Sequence, residues 1–190
     1  MPRAMVDTAR RKLTHADYLL FPEDGQRHQL IDGEHVVTPA PRLRHQLAVG
    51  NLYVMLAVFV REHRLGRVVL SPMDAILSEH DVVQPDVLFV RTGNEAILQD
   101  WVRGAPDLVV EVLSPSTRRL DEIRKRDVYE RFGIAEYWLV DPDAQAIKVY
   151  RLAGGSYGRG VLLSARDGDA LGSPQLPGFE APVAAVFTDT

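Results

Sequence analysis

Residues 108–140, with the sequence LVVEVLSPSTRRLDEIRKRDVYERFGIAEYWLV, form the central unit of the predicted fold. The run 108–113 is apolar apart from one glutamate, which is typical of a strand buried on both faces. A loop follows, and apolar periodicity then predicts a helix over residues 118–132 that ends at Gly133. Residues 136–140 predict a second strand. The stretch therefore predicts a strand, a helix and a strand in succession.

The sequence before this unit predicts a helix, a hairpin and a second, longer helix. Asp32-Gly33 is a strong hairpin turn signal, and apolar residues recur every three or four positions over the long segment. The predicted elements are a short helix at 14–20 opened by Thr14, strands at 28–31 and 34–38, and a helix at 42–65 closed by Gly66.

Short β-rich runs separated by turn residues account for most of the remaining chain. They are residues 68–70, 75–77, 87–90, 146–151 and 157–163, followed by a tail from Ser164 that we expect to form one hairpin. This order of elements predicts an α+β fold in which helices pack on a mixed β-sheet. We expect a single domain over residues 1–190, with an N-terminal helix and hairpin at 14–41, a core at 42–151 and C-terminal strands and tail at 152–190.

Composition limits the classes of function. The chain has 190 residues, no cysteine and a net charge of −4. Disulfides and thiolate metal sites are therefore excluded, and the charge counts against nucleic-acid binding by bulk electrostatics. No apolar run reaches the roughly 18 residues of a membrane span, and residues 1–20 lack the apolar core of a secretory signal. We expect a cytoplasmic protein that does not enter a membrane.

Two carboxylates stand out on predicted strands. Asp86 follows Pro85 at the start of the strand 87–90, and Glu111 interrupts the apolar strand 108–113. An ionised glutamate in a buried strand costs several kcal/mol unless it is paired or bound to a metal. A salt bridge to an arginine would satisfy Glu111, and a strand-end cap would explain Asp86 alone. Carboxylates on two neighbouring strands also suit a hard cation such as Mg²⁺ or Mn²⁺.

Lys125 lies on the apolar face of the predicted helix 118–132. At about 100° per residue, it shares an arc with Asp121, Val128 and Tyr129. Only 3 of the 22 basic residues are lysines, so a lysine on an inward face suggests a role that a guanidinium could not fill. The alternative is a pair between Asp121 and Lys125 on the helix surface, with the lysine extended toward solvent.

At this point the chain resembles a bacterial family known as putative restriction endonucleases, within the PD-(D/E)XK nuclease superfamily. The resemblance rests on EVLSPSTRRLDEIRKRDVYERFGIAEYWLVDP, on QLIDGEHVVTPAPRLRHQ near the N-terminus and on VVQPDVLFV in the middle. Together these segments cover roughly residues 28–151 in the order of the family.

The resemblance implies a restriction-endonuclease-like fold, a mixed β-sheet flanked by helices with the N-terminal hairpin as an extension. It also implies functional residues at matching positions. The superfamily has an Asp at the start of one strand and Glu-x-Lys on the next, which Asp86 and Glu111 match. Leu113 stands where the lysine usually lies. In this family the lysine has moved to the following helix, in a D-x-x-x-K-x-x-x-Y spacing, which Asp121, Lys125 and Tyr129 match.

The same resemblance implies a metal site. Asp86, Glu111 and the backbone carbonyl of Val112 would hold one Mg²⁺ or Mn²⁺, with Glu34 of the Asp-Gly-Glu segment as a candidate further ligand. Lys125 would position the attacking water or stabilise charge in the transition state.

Five further residues carry weaker expectations. The pair His45 and Gln46 matches the family and would serve as a structural cap or backbone tie, or as a substrate contact. Arg118, Arg119 and Arg124 near the start of the helix 118–132 are candidates for phosphate contacts, and a solvated surface is the alternative.

The expected function is metal-dependent endonuclease activity on nucleic acid, with DNA as the expected substrate. Two alternatives stay open: a catalytically silent domain of the same fold that binds nucleic acid or protein, and a metal-dependent phosphodiesterase of small molecules. Cleavage of both strands of a duplex would favour a homodimer, in which the helix 42–65 would help to bury the partner.

Overall fold

The computed structural model describes residues 11–188. The first ten residues, on which part of the secretory-signal expectation rests, lie outside that range. The helices are α1 (His15–Tyr18), α2 (Leu43–His63) and α3 (Arg126–Arg131), with a π-helical segment at Leu120–Lys125 directly before α3 and 3₁₀ turns at Glu95–Ile97 and Val183–Phe187. The strands are β1 (Arg27–Ile31), β2 (Glu34–Thr38), β3 (Gly66–Leu70), β4 (Ala75–Ile76), β5 (Val82–Val83), β6 (Val87–Arg91), β7 (Val102–Arg103), β8 (Leu108–Val112), β9 (Glu136–Asp141), β10 (Ala146–Arg151), β11 (Val161–Ser164), β12 (Ala170–Ser173) and β13 (Leu176–Pro182).

A six-stranded mixed sheet forms the centre of the fold, in the order β11-β10-β9-β8-β6-β3. The strands β8 and β9 are parallel, and the other neighbours are antiparallel. A parallel pair needs a crossover connection, and the π-helical segment with α3 supplies it. The α+β fold with a mixed sheet is therefore confirmed. The single domain over residues 1–190 stays a prediction.

The predicted N-terminal hairpin is the edge of a second sheet, in the order β2-β1-β5-β4-β7. Its turn is formed by Asp32 and Gly33, with φ of 54° and 75°, as a two-residue turn with two positive φ values requires. The two-residue strands β5 and β7 were not predicted, because a pair of residues has no period to detect. The predicted hairpin in the C-terminal tail is confirmed as β12 and β13.

Alternate residues of β8 face opposite sides of the central sheet, as the period of a strand requires. Val110 belongs to the core that contains Leu56 of α2. Val109 belongs to the core that contains Tyr129 of α3. Glu111, two residues after Val109, therefore faces the side of the sheet that carries α3.

Helix α2 ends earlier than predicted. It ends at His63, and Arg64 adopts a left-handed conformation with φ of 55°. Gly66 is not the helix stop but the first residue of β3, where a Cβ atom would lie 2.0 Å from the carbonyl oxygen of Val90. A glycine is needed there because the two backbones of β3 and β6 approach closely.

One face of α2 is exposed. The helix has the length of a membrane span and a mean hydropathy of 1.3, with 33% of the apolar window buried in the fold. Its inner face, including Leu52 and Leu56, packs in the core, while Leu43, Val54 and Val58 are exposed. The core helix of a globular protein can meet the same length and hydropathy criteria as a membrane span. The expected homodimer, in which α2 would bury the partner, stays a prediction.

Truncation of the inner face of α2 should destabilise the fold far more than truncation of its outer face. Leu56→Ala should lower the free energy of unfolding by about 2–5 kcal/mol, because it leaves a cavity in the core. The matched variant Val54→Ala, at a position 59% exposed, should change it by no more than about 0.5 kcal/mol. Urea denaturation measures both values, and equal effects would contradict the assigned packing of α2.

Candidate active site

Asp86 lies directly before β6, which begins at Val87, and its side chain is buried. Its Oδ2 accepts a hydrogen bond from the backbone N–H of Val112 at 2.9 Å. His45 Nε2 lies 3.2 Å from the same oxygen. Oδ1 accepts from Arg27 at 3.1 and 3.2 Å. Burial raises the pKa of Asp86, but the hydrogen bond from His45 and the charges of His45 and Arg27 outweigh it and hold that pKa below its usual value.

Glu111 is 2% exposed and has a lysine as its ionic partner, not the arginine of the alternative considered from the sequence. Lys125 Nζ donates to Glu111 Oε1 at 2.8 Å, and the Tyr129 hydroxyl donates to the same oxygen. Both of these hydrogen bonds end on Oε1. The pKa of Glu111 is raised to about 7, mainly because the carboxyl group is buried. The charge of Lys125 lowers this pKa only in part, and the charges of Asp121 and Asp86 raise it further.

Lys125 is 3% exposed, so the alternative in which it extends toward solvent is wrong. Besides Glu111, its Nζ lies 3.4 Å from Asp121 Oδ1. Burial alone would lower the pKa of Lys125, but the charges of Glu111 and Asp121 outweigh it, and the ammonium form is favoured. A lysine held charged in the interior suits a role in binding an anion or orienting a nucleophile.

The helix that carries Lys125 is not regular. Helical backbone begins at Arg118, as predicted, and Leu120–Lys125 is π-helical. Such segments are rare and frequently occur at functional sites. Asp121, Lys125 and Tyr129, which match the predicted spacing, all have buried side chains. Leu113, at the usual lysine position, packs in the apolar core instead.

His45 belongs to the same cluster through Asp86. Burial lowers the pKa of His45, but the hydrogen bond and charge of Asp86 outweigh it, so the net shift is upward. The cap of α2 is Arg42, without a side-chain hydrogen bond, so the helix-cap alternative for His45 is wrong. Gln46 is exposed, and its Oε1 lies 3.3 Å from His45 Nδ1.

Three clefts meet at the cluster. A small cavity of about 20 Å³ is enclosed by the cluster and neighbouring polar residues: Arg27, Thr38, His45, Asp86, Glu111, Ser114, Thr117, Asp121 and Lys125. A cleft of about 470 Å³ shares Arg27 and Asp86 with this cavity, and a third of about 370 Å³ shares His45 and Ser114 with it. The cluster therefore borders both of the larger clefts.

Several residues expected at the site lie elsewhere. Glu34 has a side chain 72% exposed and pairs with Arg124 at 2.8 Å, so the structure does not bring it to the cluster. Arg118 forms ion pairs with Asp141, at 2.8 Å, and with Glu122. Arg119 is exposed.

Arg27 and Thr38, which face each other in the β1–β2 register, are among the cavity residues that the sequence did not indicate. Arg27 contacts a carboxylate 59 positions away, which no local pattern indicates. Thr38 is 6% exposed, and its hydroxyl oxygen has no hydrogen-bond partner among the described residues. The available signal was a run of polar residues at 27–29 on a strand that proves to be buried.

The donor chemistry fits a hard divalent cation. Within residues 11–188, no three His, Asp or Glu side chains are placed to enclose a metal. Mg²⁺ and its analogues do not need such a cage, because they use one or two carboxylates and keep several waters. Three carboxylates (Asp86, Glu111 and Asp121) lie beside two permanent cations (Lys125 and Arg27) and the titratable His45.

Comparison with known structures supports the fold. A crystal structure described as that of a putative nuclease belonging to DUF820, from Anabaena variabilis, matches with a TM-score of 0.77 and 20% sequence identity. The match covers 92% of this chain and 97% of that one. No curated protein matches the chain.

Comparison with protein families identifies the chain more directly. The Uma2 family, described as "Putative restriction endonuclease", matches residues 15–184, which include every residue of the buried cluster. The matched residues make up well over half of the chain. The protein therefore belongs to the Uma2 family of putative restriction endonucleases.

Proposed function

We propose that the protein is a metal-dependent endonuclease that hydrolyses phosphodiester bonds in nucleic acid, with DNA as the first substrate to test. One observation carries the proposal. Lys125 Nζ lies 2.8 Å from Glu111 in the cavity that also holds Asp86, so the strand carboxylates and the displaced lysine of the superfamily pattern meet in space. Family membership and the nuclease-like fold support the same reaction class.

Each residue of the cluster would have a distinct part in the reaction. Asp86 and Glu111, with the carbonyl of Val112, would hold Mg²⁺ or Mn²⁺, which supplies Lewis acidity and lowers the pKa of water. Oε2 of Glu111 would be the ligand oxygen, since Oε1 accepts from Lys125 and Tyr129. Glu34 is left out of this set because its carboxylate pairs with Arg124.

Lys125 would stabilise negative charge or orient the attacking water. Its ammonium is held charged by Glu111 and Asp121, so it needs no reorganisation when charge develops on a phosphate. Among the arginines expected to contact phosphates, Arg119 is the most available, because Arg118 and Arg124 have carboxylate partners.

A catalytically silent binding domain is the second candidate. The observation in its favour is that both oxygens of Asp86 are already hydrogen-bonded and that the cavity is only about 20 Å³. A small-molecule phosphodiesterase would use the same carboxylates. Parallel incubations with supercoiled plasmid, single-stranded oligonucleotides and small nucleotide esters separate the three functions.

Removal of any one member of the cluster should abolish cleavage. Asp86→Asn, Glu111→Gln and Lys125→Met should each reduce the rate of plasmid cleavage in Mn²⁺ or Mg²⁺ by at least about 100-fold, the usual cost of losing a positioned charged group in an active site. Glu62→Gln, at an exposed carboxylate on α2, should retain full activity. Equal activity of Glu111→Gln and Glu62→Gln would exclude the proposed site.

Burial of Glu111 should also make stability depend on pH. The ordinary pKa of 4.5 is raised to about 7 in the fold. The folded protein therefore holds a proton that the unfolded chain releases, and the contribution of this group to the free energy of unfolding is largest below pH 4.5 and is lost as the pH rises through about 7.

Glu111→Gln should remove this dependence. Between roughly pH 5 and pH 8, metal-free wild type should lose more stability than Glu111→Gln, by about 1.4 kcal/mol for each pKa unit of the shift. Urea denaturation in EDTA across this range measures the difference, with Glu62→Gln expected to follow the wild type. Parallel curves for wild type and Glu111→Gln would show that the carboxylate is not desolvated as the structure indicates.

A further inference from the structure

The guanidinium of Arg27 is only partly satisfied by its hydrogen bonds at the site. Two of its nitrogens, Nη1 and Nη2, contact the same oxygen of Asp86, at 3.1 and 3.2 Å. A guanidinium binds a carboxylate best when two nitrogens meet two oxygens. The second oxygen of Asp86 is taken by the Val112 amide and by His45. The Nε of Arg27 is buried and has no partner among the described residues.

The position of Arg27 conflicts with a metal on Asp86. Its guanidinium lies against Oδ1, the Asp86 oxygen that does not accept from Val112. A cation bound at that oxygen would meet a fixed positive charge within contact distance, so the two cannot share it without repulsion. A ligand carboxylate neutralised by an arginine also attracts a second cation less strongly.

Arg27 has a second environment close by. Its side chain, 22% exposed, lies on the wall shared by the small cavity and the cleft of about 470 Å³. Nη2 is already turned toward this cleft, where it donates to Ser71 Oγ at 2.6 Å and to the carbonyl of Gln84 at 3.1 Å. Gln84 Oε1, which also has no partner among the described residues, belongs to a residue that lines the same cleft.

We propose that Arg27 is a phosphate-binding residue of the nuclease site, which exchanges Asp86 for a substrate phosphate when the metal binds. This inference rests on the proposed function. A phosphate offers two oxygens to the fork of the guanidinium, which Asp86 in its present contacts does not. In the metal-free state Arg27 pairs with Asp86. In the loaded state it would bind the phosphate in the cleft that it lines.

The exchange couples two ligands. If the metal displaces Arg27 from Asp86 and the phosphate then engages it, each ligand strengthens the binding of the other by the same factor. Binding of Mn²⁺ should therefore be tighter in the presence of a nucleotide phosphate, and this coupling should depend on Arg27.

Calorimetric titration with Mn²⁺ tests the exchange, with and without thymidine 3′,5′-bisphosphate, a probe that has two phosphates and no phosphodiester to cleave. Arg27→Met should bind Mn²⁺ about tenfold more tightly than the wild type, because the competing cation is gone. The tightening that the nucleotide causes in the wild type should be absent. Arg27→Met should nevertheless raise the KM for a single-stranded oligonucleotide and lower the rate of its cleavage.

Two further variants distinguish the proposed exchange from a general loss of structure. Arg27→Lys keeps the charge without the fork, so its Mn²⁺ affinity should stay near that of the wild type while the coupling falls. Arg67→Met, at an exposed arginine of β3, should match the wild type in every measurement.

Unchanged or weaker Mn²⁺ binding by Arg27→Met, or undiminished coupling in Arg27→Lys, would overturn the exchange and make Arg27 a structural partner of Asp86. In that case cleavage by the wild type and its loss in Glu111→Gln would leave the nuclease function standing. Absence of both Mn²⁺ binding and cleavage in the wild type would instead remove the proposed function, and the exchange with it.

Discussion

The buried ion pair of Lys125 with Glu111 is the interaction on which the rest of the site depends. Taking two such charges out of water costs several kcal/mol for each ion, and only close partners offset it. Glu111 finds Lys125 and Tyr129, and Lys125 also finds Asp121. Strand β8 and the following helix must therefore dock in one register, because a different register would leave a buried charge alone. The parallel pairing of β8 with β9 sets where that helix returns to the sheet.

Most of the fold could be predicted from local patterns. The Asp32-Gly33 turn gave the hairpin its register, and periodicity located α2 and the helix that ends in α3. Features that depend on tertiary contacts could not be predicted. The strands β5 and β7 exist only because neighbours in the second sheet pair with them. The π-helical turn and the role of Gly66 depend on packing against other strands, which no local signal reports.

The candidate site was only partly predictable. Glu111 and Lys125 each break an apolar pattern, so the cost of burial pointed to both. The contact of His45 with Asp86 and the presence of Arg27 depend on residues far apart in the chain, and they needed the structure. Glu34 was expected from the family motif, but its place on an exposed strand directs it to an arginine on the helix instead.

The metal centre that we propose is formed by Asp86 and Glu111 beside Lys125. Anomalous diffraction from a crystal soaked in Mn²⁺ tests it directly. We expect one strong peak roughly 2.0–2.3 Å from an oxygen of each carboxylate, within the range of hard-cation coordination, with the Arg27 guanidinium moved off Asp86. Density that shows no ion at this position, with Arg27 still on Asp86 under saturating Mn²⁺, would contradict it.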